Sequence, residues 1–295
     1  FVESLRTVGE NIRETSPTLI PAVPLLLEKV YNKLLAGIKA NRMANLLWTL
    51  GIRAPVRKGI MEKLGGRVRL MISGGAPADP KMLAGLEDLG LVAREGYGIT
   101  ECSPVLSLSP IDAPIRPGSC GKVLPFVEMR VFEANSEGVG ELAAKGGNIM
   151  KGYFNNPGAT EDVFRDGWFL TGDLGYIDAD NYVYITGRKK ALIVNREGKN
   201  IYPEEVEMQI NQSPLILESV ALGYRPPGES VGEQVGVIVV PDEEGLAALE
   251  ASEKRKLSEK EIEARLRAEV KKQVAALADY KHPRRVQIRW EEFNK

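Results

Sequence analysis

The chain has 295 residues, of which 43% are hydrophobic and 27% charged, and its net charge at pH 7 is −1. This composition is typical of a globular protein, and the length allows a substantial core divided between two folding units. The balanced charge gives no electrostatic footprint for nucleic acid or for an anionic membrane, so a basic nucleic-acid-binding module is excluded.

Counts of reactive residues narrow the function classes further. The two cysteines, Cys102 and Cys120, favour a reducing compartment over a disulfide framework. The single histidine, His282, argues against a histidine-ligated metal site and against a Ser/His/Asp triad. We interpret all three residues as structural. No apolar run reaches the roughly 20 residues of a transmembrane helix and no secretory signal is visible, so we expect a cytoplasmic protein with at most peripheral membrane contact.

Both ends of the chain have the character of cut ends. The chain starts with Phe1 instead of Met, within a helical pattern, and it stops at Lys295 shortly after a strand pattern. Natural domains usually end in solvated polar tails. We therefore expect a fragment of a longer protein.

The first part of the chain, up to about residue 117, has an α/β pattern. A short apolar strand at 18–23 leads into a helix at 25–38, whose apolar residues recur four apart. A second strand at 67–72 ends in the loop Ser73-Gly74-Gly75-Ala76-Pro77, and a helix follows at about 80–89. This order predicts that the loop lies at the carboxyl edge of a sheet, where α/β proteins bind ligands.

The pattern changes from about residue 118 to residue 186. Short strands at 128–132, 140–144 and 182–186 alternate with turns rich in Gly, Asn and Asp. We predict a small antiparallel β subdomain here.

The remaining residues predict a third, α+β unit. Strands are expected at 192–194, 219–223 and 235–240, and one helix is expected to begin near Pro203, with Glu204 and Glu205 in its first turn. A charged helix follows from about 258 to 278, with one apolar face and a solvated surface.

The segment from Glu95 to Glu101 has the strongest concentration of binding chemistry. Its aromatic ring can stack on a base, and its two glycines allow the backbone to approach the ligand closely. Its hydroxyl can bond a phosphate, and its carboxylate can bind Mg²⁺. Taken alone, the same residues are also ordinary turn chemistry. Ser73–Pro77 has the same two interpretations, a nucleotide loop or a tight turn. It is not a phosphate loop of the GxxxxGK[ST] kind, whose spacing occurs nowhere in the chain.

Two further polar residues are candidates for holding a ribose. Asp173 follows a glycine, and such a carboxylate can accept hydrogen bonds from vicinal hydroxyls, although a turn aspartate is the alternative. Arg188 could bridge ribose and phosphate through its planar guanidinium, with a salt bridge in a linker as the alternative.

Taken together, the ordered motifs of the chain resemble those of the adenylate-forming enzymes, which include acyl-CoA synthetases, luciferases and peptide-synthetase adenylation domains. The branch that the chain resembles most is the long-chain fatty acyl-CoA synthetases, notably at 101–107 and 199–205. The motifs are Gly74-Gly75-Ala76-Pro77, Gly96-Tyr97-Gly98-Ile99-Thr100-Glu101, Gly152-Tyr153, Gly167-Trp168-Phe169, Thr171-Gly172-Asp173-Leu174, Gly187-Arg188-Lys189-Lys190 and residues 198–207.

The resemblance implies a fold and a reaction. Residues 1–117 would be the C-terminal part of the large α/β adenylate-binding domain, 118–189 its antiparallel β subdomain, and 190–295 a truncated, small, mobile C-terminal domain. The enzyme would be an acid–thiol ligase that uses Mg²⁺, ATP and coenzyme A to convert a fatty acid first to acyl-AMP and then to a thioester.

The resemblance also implies roles for individual residues. Gly74, Gly75 and Ala76 would border the adenine, and Glu95, Gly96 and Tyr97 would frame it, with the Tyr97 ring stacked on the base. Thr100 would bond the α-phosphate, Glu101 the Mg²⁺, Asp173 the ribose and Arg188 the ribose–phosphate edge. Lys190 would be the hinge between the domains, and Gly198 would lie near the pantetheine channel of coenzyme A.

Two departures from the family pattern limit this prediction. The Ser/Thr/Gly-rich triphosphate loop is not found before Ser73, and Lys295 lacks the preceding glycine of the family's adenylation lysine. Because electrostatic preorganisation is usually the largest catalytic contribution, we expect these 295 residues by themselves to be nearly inactive. Two alternatives remain open: a catalytically dead AMP-binding or interaction module, and an enzyme whose acceptor is an acyl carrier protein.

Overall fold

A computed structural model describes residues 8–228 and 231–293 of the chain. The chain divides into two compact units. Unit 1 comprises residues 1–171 and 175–185, and unit 2 comprises residues 172–174 and 186–295. Each unit contains buried hydrophobic clusters of its own. Lys295 lies outside the described residues.

Unit 1 begins with an α/β layer. Its sheet has the strand order β1-β2-β3-β4-β5, in which β1, β2 and β3 are parallel and β4 and β5 are antiparallel to their neighbours. The strands are β1 (Leu19–Ala22), β2 (Leu70–Ser73), β3 (Ala93–Tyr97), β4 (Ser107–Leu108) and β5 (Lys122–Val123). The helices are α1 (Val8–Thr15), α2 (Pro24–Ala40), α3 (Arg42–Thr49), α4 (Arg53–Lys63) and α5 (Pro80–Asp88).

The hydrophobic core of this layer is formed by apolar residues of its strands and helices. Met71 of β2 is buried together with Leu27 of α2 and with Leu83 and Leu86 of α5. Parallel strands covered by helices are buried on both faces, and three of the four residues of β2 are accordingly buried. The strand–loop–helix order predicted for 67–89 is confirmed, with α5 beginning at Pro80 behind the N-cap Asp79.

The second sheet is antiparallel. Its strand order is β10-β9-β7-β6, and β8 pairs with β9. Leu142, Phe169 and Val183 are buried in its core, and both cysteines are buried as thiols in the same cluster. The elements are β6 (Val127–Phe132), β7 (Gly140–Gly146), α6 (Pro157–Val163), β8 (Phe164–Arg165), β9 (Trp168–Ile177) and β10 (Val183–Arg188).

Unit 2 contains a two-stranded and a three-stranded sheet. In the latter, β13 and β14 are antiparallel and β15 is parallel to β14. The strands are β11 (Ile193–Val194), β12 (Asn200–Ile201), β13 (Ile216–Tyr224), β14 (Gln234–Pro241) and β15 (Arg285–Ile288). The helices are α7 (Pro203–Ile210), α8 (Glu243–Glu253) and α9 (Glu259–Gln273).

Helix α9 shows how the sequence defines an end. Ser258 is its N-cap and forms a capping box with Glu261. The backbone amide and hydroxyl of Ser258, followed by Arg255, hold the pKa of Glu261 down at about 2. Leu266 and Val270 on the predicted apolar face are buried.

The fold class predicted from sequence is confirmed: a mixed α/β region, an antiparallel β region and an α+β region follow in that order. Four helices were not predicted, namely α3, α4, α6 and α8. The charged helix predicted to reach residue 278 ends earlier, at Gln273, and continues as a 3-10 turn over Val274–Ala276. Within residues 8–228 and 231–293, no helix has the length and apolarity needed to cross a membrane.

Candidate functional site

The loops after β2 and β3 lie side by side at one edge of the first sheet. Ser73 and Glu95 are paired in the parallel register, and a Cβ placed on Gly74 would lie 3.5 Å from the Gly96 carbonyl oxygen. Gly75 has a φ of +84°, which glycine adopts without strain, and open space surrounds it. The structure therefore brings the predicted adenine loop and the predicted adenine wall together.

Glu95 links strand β3 to the loop after β2 through a buried hydrogen bond. Its side chain is buried, and its Oε1 accepts a hydrogen bond from the Ala78 amide at 3.2 Å. Burial raises the pKa of Glu95 to about 7, and the Ala78 hydrogen bond opposes that shift. The carboxyl group therefore titrates much closer to neutral pH than an exposed glutamate does.

Tyr97, predicted to stack on adenine, is largely inside the protein. It is 7% exposed and packs in the hydrophobic cluster that contains Cys102 and Leu106. A small part of the ring is therefore accessible in this conformation, and its stacking role stays a prediction.

Thr100 and Glu101 occupy a short 3-10 turn directly after β3. The turn spans Thr100–Cys102, and Ser103 closes it in the left-handed conformation with a φ of +57°. Gly98 makes this tight path possible, because a Cβ there would overlap the carbonyl oxygen of Pro104. Thr100 is exposed, whereas Glu101 is half-buried.

The Glu101 carboxylate has a defined partner. Its Oε1 accepts a hydrogen bond of 2.9 Å from the Tyr153 hydroxyl. Burial, followed by the hydrogen bond to Glu101, raises the pKa of Tyr153, so the phenol stays neutral at physiological pH. Among the described residues, the other carboxylate oxygen of Glu101, Oε2, has no hydrogen-bond partner.

The predicted ribose residues are brought together in unit 2. Arg188 Nε lies 2.8 Å from Asp173 Oδ1, with the arginine side chain 62% exposed and the aspartate side chain 4% exposed. The Arg188 amide donates to Glu204 Oε1 at 3.2 Å. Gly187 leaves room for the Glu204 side chain beside this pair, because a Cβ there would lie 2.6 Å from Glu204 Oε2.

The predicted hinge and coenzyme A residues lie in short turns of unit 2. Lys190 is exposed in the 3-10 turn Lys189–Ala191, a few residues beyond the start of the unit's main segment at Thr186. Gly198 has a φ of +73° in the turn between β11 and β12. Asn195 Oδ1 closes that turn by accepting hydrogen bonds from the Glu197 amide at 2.9 Å and the Lys199 amide at 2.8 Å. Both assigned roles stay predictions.

The side chains present suit a Mg²⁺ ion that is held mainly by substrate phosphates and water. They do not suit a metal ion whose ligands all come from the protein. No group of three or more His, Cys, Asp or Glu side chains with metal-ligand geometry occurs in residues 8–228 and 231–293. Mg²⁺ is typically bound through one or two carboxylates together with substrate phosphates and water. Glu101, with one carboxylate oxygen unbonded in the described chain, could supply the protein's share of such a site. The buried Ser73 Oγ, beside Gly74, also lacks a hydrogen-bond partner among the described residues.

Two residues of this site were not assigned a role from the sequence. Tyr153 was part of a quoted motif but had no function, and Asn148 was not singled out. Asn148 Nδ2 donates to the carbonyl oxygens of Cys102 at 2.9 Å and Val105 at 3.1 Å. The Gly152-Tyr153 pair was the signal that could have indicated the first, and no local pattern indicates the second.

Comparisons with known proteins identify the family and relatives of the chain. The profile of the AMP-binding enzyme family matches residues 3–154. Long-chain-fatty-acid–CoA ligase FadD15 of Mycobacterium bovis is 32% identical over 254 residues, covering 77% of this chain and 41% of its own length. The long-chain-fatty-acid–CoA ligase of Yersinia pestis is 37% identical over 185 residues, covering 61% of this chain and 32% of its own length.

A solved structure shares the fold. O-succinylbenzoate coenzyme A synthetase (MenE) of Bacillus subtilis, in complex with ATP and magnesium ion, is 25% identical with a TM-score of 0.71. The match covers 97% of this chain and 50% of the solved one. The chain therefore spans about half of that structure and at most about two fifths of the two curated ligases.

Proposed function

The chain belongs to the AMP-binding enzyme family, and we propose that it is part of an ATP-dependent ligase that joins long-chain fatty acids to coenzyme A. The ligases from M. bovis and Y. pestis support the fatty acid branch. The ATP and magnesium bound to MenE support the nucleotide and the metal.

One observation carries the proposal. The loop of Gly74, Gly75 and Ala76 and the turn of Thr100 and Glu101 follow neighbouring parallel strands at the same sheet edge. Ligands of α/β proteins bind at this edge, outside the carboxyl ends of the strands. A flexible glycine loop beside a carboxylate with an available oxygen suits a nucleotide that carries Mg²⁺ on its phosphates.

The proposed chemistry has two steps. An oxygen of the fatty carboxylate attacks the α-phosphorus of ATP, the bond to pyrophosphate breaks, and acyl-AMP forms. The sulfur of the coenzyme A thiolate then attacks the acyl carbon, and the bond to AMP breaks. When bound, Mg²⁺ would neutralise phosphate charge. Glu101 would hold it, and the exposed Thr100 hydroxyl would donate to an α-phosphate oxygen.

Residues of unit 2 would serve the nucleotide sugar and the second step. We assign Asp173 to the ribose hydroxyls and Arg188 to the ribose–phosphate edge, in keeping with their contact. Lys190 would be the hinge and Gly198 would approach the pantetheine arm. Their exposed turns leave both residues accessible to a ligand or to a change of backbone angle.

The test is ATP–pyrophosphate exchange in the protein at its full natural length, with and without a long-chain fatty acid. We expect exchange that depends on the fatty acid and on Mg²⁺, and thioester formation with coenzyme A. Exchange without any fatty acid dependence would contradict the substrate class. Thioester formation with acyl carrier protein but not with coenzyme A would change the acceptor, and no exchange at all would favour a binding module.

The same measurement on the 295 residues by themselves has a different expected outcome. Because their sequence contains neither the triphosphate loop nor the adenylation lysine of the family, we expect weak AMP binding and little exchange. Calorimetric affinity for AMP in the nanomolar range would contradict this expectation.

A further inference from the structure

The segment 148–153, between β7 and α6, contacts the 3-10 turn of Thr100 and Glu101 at several points. The Met150 amide donates to the Glu101 carbonyl oxygen at 2.7 Å. Asn148 donates to two further carbonyl oxygens of that turn and the residues after it. Tyr153 reaches the Glu101 carboxylate itself, at 2.9 Å. We call residues 148–153 the brace.

Tyr153 is fixed from its own side as well. Its amide donates to Thr160 Oγ1 at 2.9 Å, and that hydroxyl donates in turn to the Asn156 carbonyl oxygen at 2.9 Å. Gly152 has a φ of +152°, and a Cβ there would lie 2.8 Å from the Thr160 side chain. The start of α6 therefore sets the position of the Tyr153 backbone.

Resting on the function proposed above, we propose that Tyr153 is a positioning residue for Mg²⁺ binding: its hydroxyl holds one oxygen of Glu101 so that the other faces the metal and the phosphates. The backbone contacts of the brace hold the Glu101 main chain, and the phenol removes the remaining rotational freedom of the carboxylate. Without the hydroxyl, that freedom has to be lost when the metal binds, which weakens binding.

The chemical nature of the partner matters for this role. A phenol is neutral, so it orients the carboxylate while leaving its negative charge for a cation. A lysine or arginine in the same place would neutralise that charge and compete with the metal. Asp173, which has Arg188 beside it, is the contrasting case in this chain.

The experiment compares Tyr153→Phe with wild type in the protein at its full natural length. ATP binding is measured by calorimetry over a series of Mg²⁺ concentrations and in EDTA. We expect the Mg²⁺ concentration for half-maximal enhancement of ATP binding to rise about 5- to 10-fold, with ATP affinity in EDTA unchanged. Gly152→Ala, which displaces Tyr153 from Thr160, should shift the midpoint in the same direction.

Tyr184→Phe is the matched control. It removes a phenol that also donates to a carboxylate, Asp178 Oδ2 at 3.4 Å, in the same unit. Its Mg²⁺ midpoint should equal that of wild type. A shift of equal size in Tyr184→Phe would assign the effect of Tyr153 to general destabilisation and overturn the proposal.

Glu101→Gln separates failure of this proposal from failure of the proposed function. If Glu101→Gln abolishes the Mg²⁺ enhancement while Tyr153→Phe behaves as wild type, Tyr153 does not position the carboxylate. If Glu101→Gln keeps the wild-type Mg²⁺ midpoint, Glu101 does not bind the metal, so its Mg²⁺ assignment and the positioning role of Tyr153 both fail, whereas the ligase function is still decided by the fatty acid-dependent exchange. Loss of ATP affinity in EDTA by Tyr153→Phe would indicate a direct nucleotide contact and would also overturn the positioning role.

Discussion

Glu95 and Glu101 lie on the same short segment, yet the structure gives their carboxyl groups opposite surroundings. Glu95 is buried, accepts a hydrogen bond from the Ala78 amide and has a pKa raised to about 7. Glu101 is half-buried, accepts from a neutral phenol and has one oxygen without a partner among the described residues.

The difference shows that an acidic residue in a binding motif need not act as an anion. Glu95 links the loop after β2 to β3 and can do so in the protonated form. Glu101 sits where a negative charge can be used by a ligand. On the function proposed above, the first carboxyl group serves the shape of the site, and the second its electrostatics.

The largest effect is expected at Glu101. Glu101→Gln keeps the size and hydrogen-bonding capacity of the side chain but removes its charge. Loss of a preorganised electrostatic group typically costs about 100- to 1000-fold in rate, and we expect a fall of that order in fatty acid-dependent pyrophosphate exchange. Glu95→Gln, assayed alongside, should change exchange by less than about 10-fold at the same pH, since no charge is predicted to be needed there. Equal losses in the two variants would break the comparison.

Gly98, which lies between the two carboxyl groups, is expected to have the next largest effect. A methyl group there overlaps the Pro104 carbonyl oxygen, so Gly98→Ala should lower the free energy of unfolding by about 1–3 kcal/mol. Chemical denaturation measures the loss. Gly147→Ala is the control, because nothing lies within 4 Å of an added Cβ at that position. A denaturation midpoint for Gly98→Ala equal to that of wild type would contradict this prediction and would show that the turn can accommodate the methyl group.

Glu95 should give the protein a pH-dependent stability. Its pKa is raised from 4.5 to about 7 on folding, so between these values the folded state binds more protons than the unfolded one. The free energy of unfolding should therefore fall as pH rises from about 4.5 to above 7, by about 2–4 kcal/mol. Glu95→Gln should lack this fall when the two denaturation series are compared. Parallel pH curves for wild type and variant would contradict the burial of an ionisable group.

The smallest effect is expected at Asn148. Asn148→Ala removes two hydrogen bonds to backbone carbonyls near Glu101, which should cost about 1–2 kcal/mol in unfolding free energy. It should also raise the Mg²⁺ concentration for half-maximal enhancement of ATP binding. The pH dependence of the unfolding free energy that Glu95 causes should stay unchanged. Asn135→Ala is the matched control, because it also removes two hydrogen bonds to the backbone, in a turn that is remote in sequence from Glu101. A Mg²⁺ effect of equal size there would show that stability alone is responsible.

Local chemistry made much of the fold predictable. The strand, glycine loop and helix from β2 to α5 follow from an apolar run, Gly74-Gly75 and Pro80, and each signal lies within a few residues of the element it defines. Helix α8 was missed because it buries none of its residues and so has no apolar face to detect. Helix α4 was missed because charged residues interrupt its apolar pattern, and α3 was missed because it has only eight residues and buries none of them.

The sequence predicts which residues form the candidate site but not how they are arranged. The glycine loop and Glu95–Glu101 could be placed at one sheet edge because strand order determines which ends are neighbours. The hydrogen bond of Tyr153 to Glu101 joins residues 52 apart in sequence. It depends on how the segment between β7 and α6 packs, for which the sequence contains no local signal. Burial of Tyr97 is likewise a property of the assembled cluster.

The turn between β11 and β12 has a practical consequence for engineering. Asn195 closes this turn with its own side chain, so the shape of the turn does not depend on Gly198 making contacts. An added Cβ at Gly198 would meet no atom within 4 Å, and its φ of +73° is one that asparagine and aspartate tolerate best after glycine. Gly198 is therefore a position where an amide or a carboxylate group can be installed at a small cost in backbone strain.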